Sequence, residues 1–196
     1  MNNLRYQFGG VLFSRLLSRE LLSAVAPGPG LPETGSGMHD FDFFFGSWRV
    51  HHRRLKERLD QCTAWDQFEG RCQVQPLLGG AANVDDNFLE LPSGHYRAAT
   101  LRSYDAAKQQ WSIWWLDGRN PGELDAPVVG RFAGGVGEFH AEMTFKGKPT
   151  RVRFRWSQTT SGTPRWEQAF SPDAGRTWET NWIMDFTPRP ATGRPI

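Results

Sequence analysis

Cysteine is nearly absent. The 196-residue chain holds two, Cys62 and Cys72, too few for a disulfide framework. Although the pair could face each other from neighbouring strands, free thiols in a reducing compartment are the expectation, and with them a cytoplasmic location. Tyrosine is scarce as well, three residues against fourteen phenylalanines and nine tryptophans, so the aromatic content lies mainly in rings that fill cores or wall pockets. HExxH, CxxC, GxSxG and a phosphate-cradling glycine loop are all missing, which removes the common signatures of zinc hydrolases, thiol redox sites, serine hydrolases and nucleotide binders. The charge is mild, +2 overall, and basic residues bunch only at 53–58 (RRLKER) and 151–155 (RVRFR). Both runs interleave with apolar residues and read as strand faces rather than a nucleic-acid surface. From residue 38 onward no long helical period occurs, which excludes a doubly wound fold.

What is present is organised around residues 41–59, FDFFFGSWRVHHRRLKERL. An aromatic run enters the step Gly46-Ser47-Trp48, where a glycine permits close backbone approach and an indole can plug the bottom of a small barrel. Period two then puts Trp48, Val50, His52, Arg54 and Lys56 on one face and Arg49, His51, Arg53 and Leu55 on the other. Neither face is apolar throughout, so a basic side chain is expected inside with a partner. Strand patterns follow at 46–58, 63–75, 81–90, 95–104, 109–116, 127–133, 136–145, 149–159, 164–171 and 176–187, separated by turn residues such as Pro92-Ser93-Gly94, Gly134-Gly135 and Lys146-Gly147-Lys148. Roughly ten strands joined by tight turns predict an all-β, antiparallel up-and-down barrel, because closure removes the edges a wide open sheet would expose.

Residues 1–37 differ. Leu12, Leu16, Leu17 and Leu21 fall nearly on one side of a helix over 11–26, but Arg15, Arg19 and Glu20 interrupt it, so it makes a poor secretory signal and is too short and charged for a membrane span. Its Arg- and Ser-containing, acid-poor character resembles a transit peptide, and an upstream start or a weakly packed tail is the expectation. The linker at 27–37, PGPGLPETGSG, has no apolar face to bury and marks a boundary. The expected organisation is an N-terminal extension at 1–37, a barrel at 38–188 and a tail at 189–196.

Several polar residues are candidates for a site. Adjacent His51 and His52 point to opposite faces and cannot share a metal. His140 and Glu142 share a face opposite Phe139, Ala141, Met143 and Phe145, and alternation alone leaves open whether that polar face meets the cavity or water. Asn83, Asp85 and Asn87 share a face too, and so polar a strand either lies exposed at an edge or meets partners inside the lumen, the latter being expected, with His52, Arg54 and Arg97 as the available bases. Among the indoles, Trp111 and Trp115 share a face with Ile113, and Trp178 and Trp182 share one with Thr180, Met184 and Phe186; one of these sets is core. The segment SPDAGRTW at 171–178 fits the S-x-D-x-G-x-T-W turn of sialidase-type Asp boxes, and a single copy reads as a hairpin turn rather than a propeller blade.

With the stretches PLLGGAANVDDN at 76–87, WSIWWLDGRNP at 111–121 and WEQAFSPDAGRTWETNWIMDF at 166–186, the chain over 38–188 resembles a bacterial domain-of-unknown-function family with a lipocalin-like, calycin-type barrel, distantly similar to nitrobindins. The resemblance implies a barrel with an internal cavity and no assigned activity. Nitrobindins hold haem through a histidine on a late strand, and here residues 151–186 contain none, so no cofactor and no metal are expected. The expected function is binding of a small, largely apolar molecule in the lumen, with His52, Arg54, Asn83, Asp85, Arg97, Trp115, His140, Glu142 and Trp182 as ligand-binding candidates. The alternative is an enzyme of cyclase, isomerase or hydrolase type using lumen carboxylates and histidines as acid and base. The expected partner is a small hydrophobic or amphipathic molecule, without nucleic acid or a membrane span, and a homodimer is compatible with the sequence.

Overall fold

Ten strands succeed one another in chain order: β1 (Gly46–Leu55), β2 (Trp65–Leu77), β3 (Ala82–Leu91), β4 (Gly94–Asp105), β5 (Gln110–Asp117), β6 (Val128–Ala133), β7 (Val136–Phe145), β8 (Lys148–Ser157), β9 (Arg165–Ser171) and β10 (Glu179–Pro188). The computed structural model describes residues 37–189; the amphipathic helix expected at 11–26, nearly all of the linker and the tail from residue 190 lie outside them. Each strand pairs antiparallel with the next, and β1 also pairs with β10, Val50 opposite Phe186 and Arg54 opposite Trp182. The sheet thereby closes into an up-and-down, lipocalin-like barrel. Among the described residues no helix is long and apolar enough to cross a membrane.

Boundaries move where the local chemistry forbids a ladder. β1 stops at Leu55 rather than 58, and the chain then loops to Trp65 with Leu59 and Gln61 both at φ 52°, a left-handed conformation that interrupts strand pairing. Cys62 therefore sits in this loop, not on a strand facing Cys72, which is buried inside the barrel; both are free thiols. β10 begins at Glu179 rather than 176 because 171–178 is knotted on itself. The Asp173 carboxylate accepts from the Thr177 amide (2.8 Å) and hydroxyl (2.6 Å), Ser171 Oγ accepts from the Gly175 amide (2.8 Å), and Trp178 Nε1 donates to the Gly175 carbonyl (3.1 Å). These bonds hold the Asp173 carboxyl down to about 2, the Thr177 hydroxyl contributing most.

Asn181 is an extra residue in the β10–β9 register. Such a bulge re-phases the alternation, so Trp182, Met184 and Phe186 are buried in the core while Trp178 lies over Arg153, 4.6 Å from guanidinium carbon to ring centre. The shared face expected for Trp178 and Trp182 is corrected accordingly.

One end of the barrel is plugged. A short 3-10 turn, Asp42–Phe44, lowers Phe41 and Phe44 into the opening. Phe41 meets Trp111 and Phe132 edge-on, both at 5.0 Å, and Phe44 meets Trp156 at 4.6 Å. Trp48 stacks on Phe44 at 5.7 Å and donates its indole N–H to the Phe44 carbonyl at 2.8 Å, so its polar edge is satisfied in the dry core. Gly46 leads out of this turn into β1 at φ 118°, a conformation that a Cβ would oppose. Trp48→Ala should lower stability by roughly 3–5 kcal/mol, whereas Ser47→Ala should cost far less. Urea unfolding of the two variants checks this, and equal midpoints would contradict the plug.

Candidate functional site

The inward faces of β3 and β4 build a polar floor directly beneath the plug. Asn83, Asp85 and Asn87 all turn inward and are buried, and so is Arg102 of β4, at 4% exposure. Arg102 Nη2 lies 2.6 Å from Asp85 Oδ2 and its Nη1 donates to Asn83 Oδ1 at 3.0 Å. Asp85 Oδ1 also accepts from the Asn87 side-chain amide and from the Thr100 backbone N–H at 3.1 Å. The guanidinium lies 5.2 Å from the rings of both Phe41 and Phe44, so the charge is neutralised from below and stacked from above.

The base that meets Asp85 is thus Arg102, not His52, Arg54 or Arg97. Arg97 points outward and grips Asp86 at 2.7 Å. The signal for Arg102 was available in the alternation Tyr96, Ala98, Thr100, Arg102 along β4. Arg102 Nε and Asn83 Nδ2 have no protein partner, and a void of about 30 Å³ lined by Arg102, Asp85 and Asn87 has room for a single water.

Above this floor, towards the other end, lies a cavity of about 270 Å³. Much of its wall is apolar: Trp115 of β5, Met143 of β7, Val152 and Phe154 of β8, Trp166 and Phe170 of β9 and Trp182 of β10. Trp182 meets Trp115 edge-on at 5.9 Å and Trp166 at 5.6 Å. Trp115, Trp166 and Phe154 also line the small void below, so these rings divide the polar floor from the cavity. Charged groups gather among the lining residues as Arg54, Arg58, Asp117, Arg119 and Asp125. Arg119 binds Asp117 through two hydrogen bonds, 2.9 and 2.6 Å, and lies 3.8 Å over the Tyr96 ring. Burial pushes the Asp125 carboxyl up, helped by Asp117 and Glu123. Arg58, Arg119 and Asp125 lie outside β1–β10, in segments where no period indicates which side chains turn inward.

His52 stands behind this wall, 2% exposed, stacked on Phe68 at 4.6 Å, and accepting the Trp182 indole N–H on Nδ1 at 3.3 Å. An indole only donates, so Nδ1 is bare and the imidazole proton belongs on Nε2. Gly70 makes room for the ring, since a Cβ there would come within 2.6 Å of Nε2. Burial, with Arg54 and His51 adding repulsion, lowers the imidazole to about 3.

His140 and Glu142 lie on the opposite face of β7 from buried Phe139. Glu142 borders the cavity, yet its side chain is 71% exposed and pairs with Arg151 at 2.8 Å. The His140 ring lies 5.8 Å from that of Trp178. The structure therefore gathers Arg54, Trp115 and Trp182 at the cavity, with His52 hydrogen-bonded to one of its walls, collects Asn83 and Asp85 at the floor, and leaves Arg97 and His140 apart from both. Among the described residues no group of three His, Cys, Asp or Glu side chains converges as a metal site would require.

No protein-family model matches the chain, and no curated protein does. Among solved structures the chain is similar to the S-type phycobiliprotein lyase CPES from Guillardia theta, at 7% identity over 76% of this chain and 90% of that one, with a TM-score of 0.50. That likeness is one of fold.

His52 gives stability a definite pH dependence. Its folded pKa lies below the ordinary 6.5, so the unfolded chain takes up a proton that the folded one refuses. The stability held above pH 6.5 is lost as pH falls from there towards 3, at up to about 1.4 kcal/mol per pH unit. His52→Gln keeps an acceptor for Trp182 and does not titrate. Urea unfolding at pH 7, 6 and 5 should show a shallower loss in this variant than in the wild type, and identical slopes would contradict the buried neutral imidazole.

Proposed function

We propose that the barrel binds a small, largely apolar molecule in the cavity between Trp115, Trp166 and Trp182, with Arg54 at its polar edge. The observation that carries the reading is the cavity itself, about 270 Å³ with mostly aromatic and aliphatic walls. A dry apolar cavity of about 150 Å³ holds a benzene molecule, so a space of this size suits a fused ring system or a medium alkyl chain. An apolar site with a few convergent polar groups is the general form of a small-molecule pocket. His52 acts through Trp182, whose indole it orients, and the Asn83–Asp85–Arg102 floor seals the site from below. The Gly46-Ser47-Trp48 entry and the indole pattern of β5 and β10 support placing the chain beside the bacterial calycin-type barrels of unknown function. The likeness to the phycobiliprotein lyase supports the barrel, and the ligand reading rests on the cavity.

Asp125 favours a second reading, an acid–base enzyme on the same ligand, because a carboxyl raised by burial at the edge of an apolar pocket is suited to proton transfer. Under this reading Asp125→Asn would abolish turnover while leaving ligand affinity in place.

Tryptophan emission tests the binding reading, since indoles form the wall. Titration with a panel of apolar alcohols and ring compounds should give a saturable one-to-one change, and Ala141→Phe, at a β7 position that lines the cavity, should fill it and abolish the change without altering the far-UV spectrum. Saturation unchanged in Ala141→Phe, or no response to any member of the panel, would contradict the assignment.

A further inference from the structure

Arg54, at the end of β1, and Arg58, in the loop that follows, both line the cavity. Arg54 lies among aromatic faces, its guanidinium carbon 5.4 Å from the Trp182 ring and 5.7 Å from the Phe68 ring, and that of Arg58 lies 5.7 Å from the Phe170 ring. Neither forms an ion pair among the described residues, in contrast to Arg102 with Asp85 at the floor and Arg119 with Asp117 at the same cavity. The nearby carboxylates are engaged or set apart: Asp117 is held by Arg119, and Glu179 accepts the Leu59 backbone N–H at 2.8 Å. Asp125 is the one carboxylate in the lining without such an engagement, and its burial already works against its charge. Burial first, and then repulsion from Arg54, lowers the Arg58 guanidinium to about 10, Glu179 opposing this only in part. Two partly buried guanidiniums on apolar walls are unfavourable unless an anion completes them.

We propose that Arg54 and Arg58 form a clamp for the anionic head of the lumen ligand, which is an amphipathic molecule with an apolar body and a carboxylate-class head. This assignment rests on the lumen-binding reading and narrows it to one class of ligand. Guanidinium forks match the two oxygens of a carboxylate, and an apolar body attached to such a head would extend along Trp182 towards Trp115 and Trp166. Selectivity follows from charge. An uncharged molecule of the same body leaves both cations unpartnered, and a cationic one adds repulsion.

Three probes with the same alkyl chain separate the possibilities: decanoate, 1-decanol and decyltrimethylammonium, each titrated against intrinsic tryptophan emission in the full chain at low and high salt. Decanoate should bind about ten-fold or more tightly than 1-decanol, the ammonium probe should bind most weakly, and added salt should narrow the gap. Arg54→Met and Arg58→Met together, which keep apolar stems, should bring decanoate to the affinity of 1-decanol. An unaltered far-UV spectrum and urea midpoint report that the variant is folded. Equal binding of decanoate and 1-decanol by the wild-type protein would overturn the clamp and leave the lumen reading standing. Preference for decanoate surviving in the double variant would also overturn the clamp. Failure of all three probes to perturb the indoles would overturn both.

Discussion

The contact between Arg102 and Asp85, 2.6 Å apart and nearly without solvent, sets the polarity of the barrel. An unpaired charge at that depth would be strongly destabilising, and removing one partner of such a pair typically costs about 3–5 kcal/mol. The guanidinium therefore fixes three things at once. It joins β3 to β4 through Asp85 and Asn83, it provides the cation on which Phe41, Phe44 and Trp156 stack, and it fills with polar atoms the region between the plug and the apolar cavity. Because this end is occupied by paired charge and stacked rings, the large free volume lies at the other end, where β1 finishes and β10 begins. There the balance reverses. The walls are largely apolar, and Arg54 and Arg58 reach the cavity without the ion-pair partner that Arg102 has at the floor.

Much of this was legible in the residue pattern, for reasons that apply to strands generally. Period-two alternation put Trp48, Val50 and His52 on one face and Asn83, Asp85 and Asn87 on another, and the closed sheet turns both sets inward. Turn residues marked most of the hairpins, and in an antiparallel meander hairpins largely determine topology. The face of β7 was undecided because alternation gives parity and not direction; buried Phe139 shows that the apolar set points in and His140 points out.

The remaining differences have local causes. Inserting Asn181 into β10 broke the parity on which Trp178 and Trp182 were grouped, and a single inserted residue carries no compositional mark. Arg58, Arg119 and Asp125 reach the cavity from loops, and loop side chains have no period from which to infer direction. Arg102 was readable from its own strand, but the choice among Arg54, Arg97 and Arg102 as partner of Asp85 depends on the β3–β4 register, which places Thr100 opposite Asp85 and Arg97 opposite Phe88. The pairing of long side chains across a sheet follows from that register, not from the composition of either strand.

The central claim is that the barrel is closed at one end and receptive at the other, and the nine tryptophans report on both. Labelling with 5-fluorotryptophan, assigning the resonances by single Trp→Phe substitutions and recording fluorine NMR spectra during titration with a lumen ligand would locate the occupied region directly. The account predicts that Trp115, Trp166 and Trp182 shift while Trp48, Trp111 and Trp156 hold their positions. Shifts centred on Trp48, Trp111 and Trp156, or spread evenly over all nine, would contradict it.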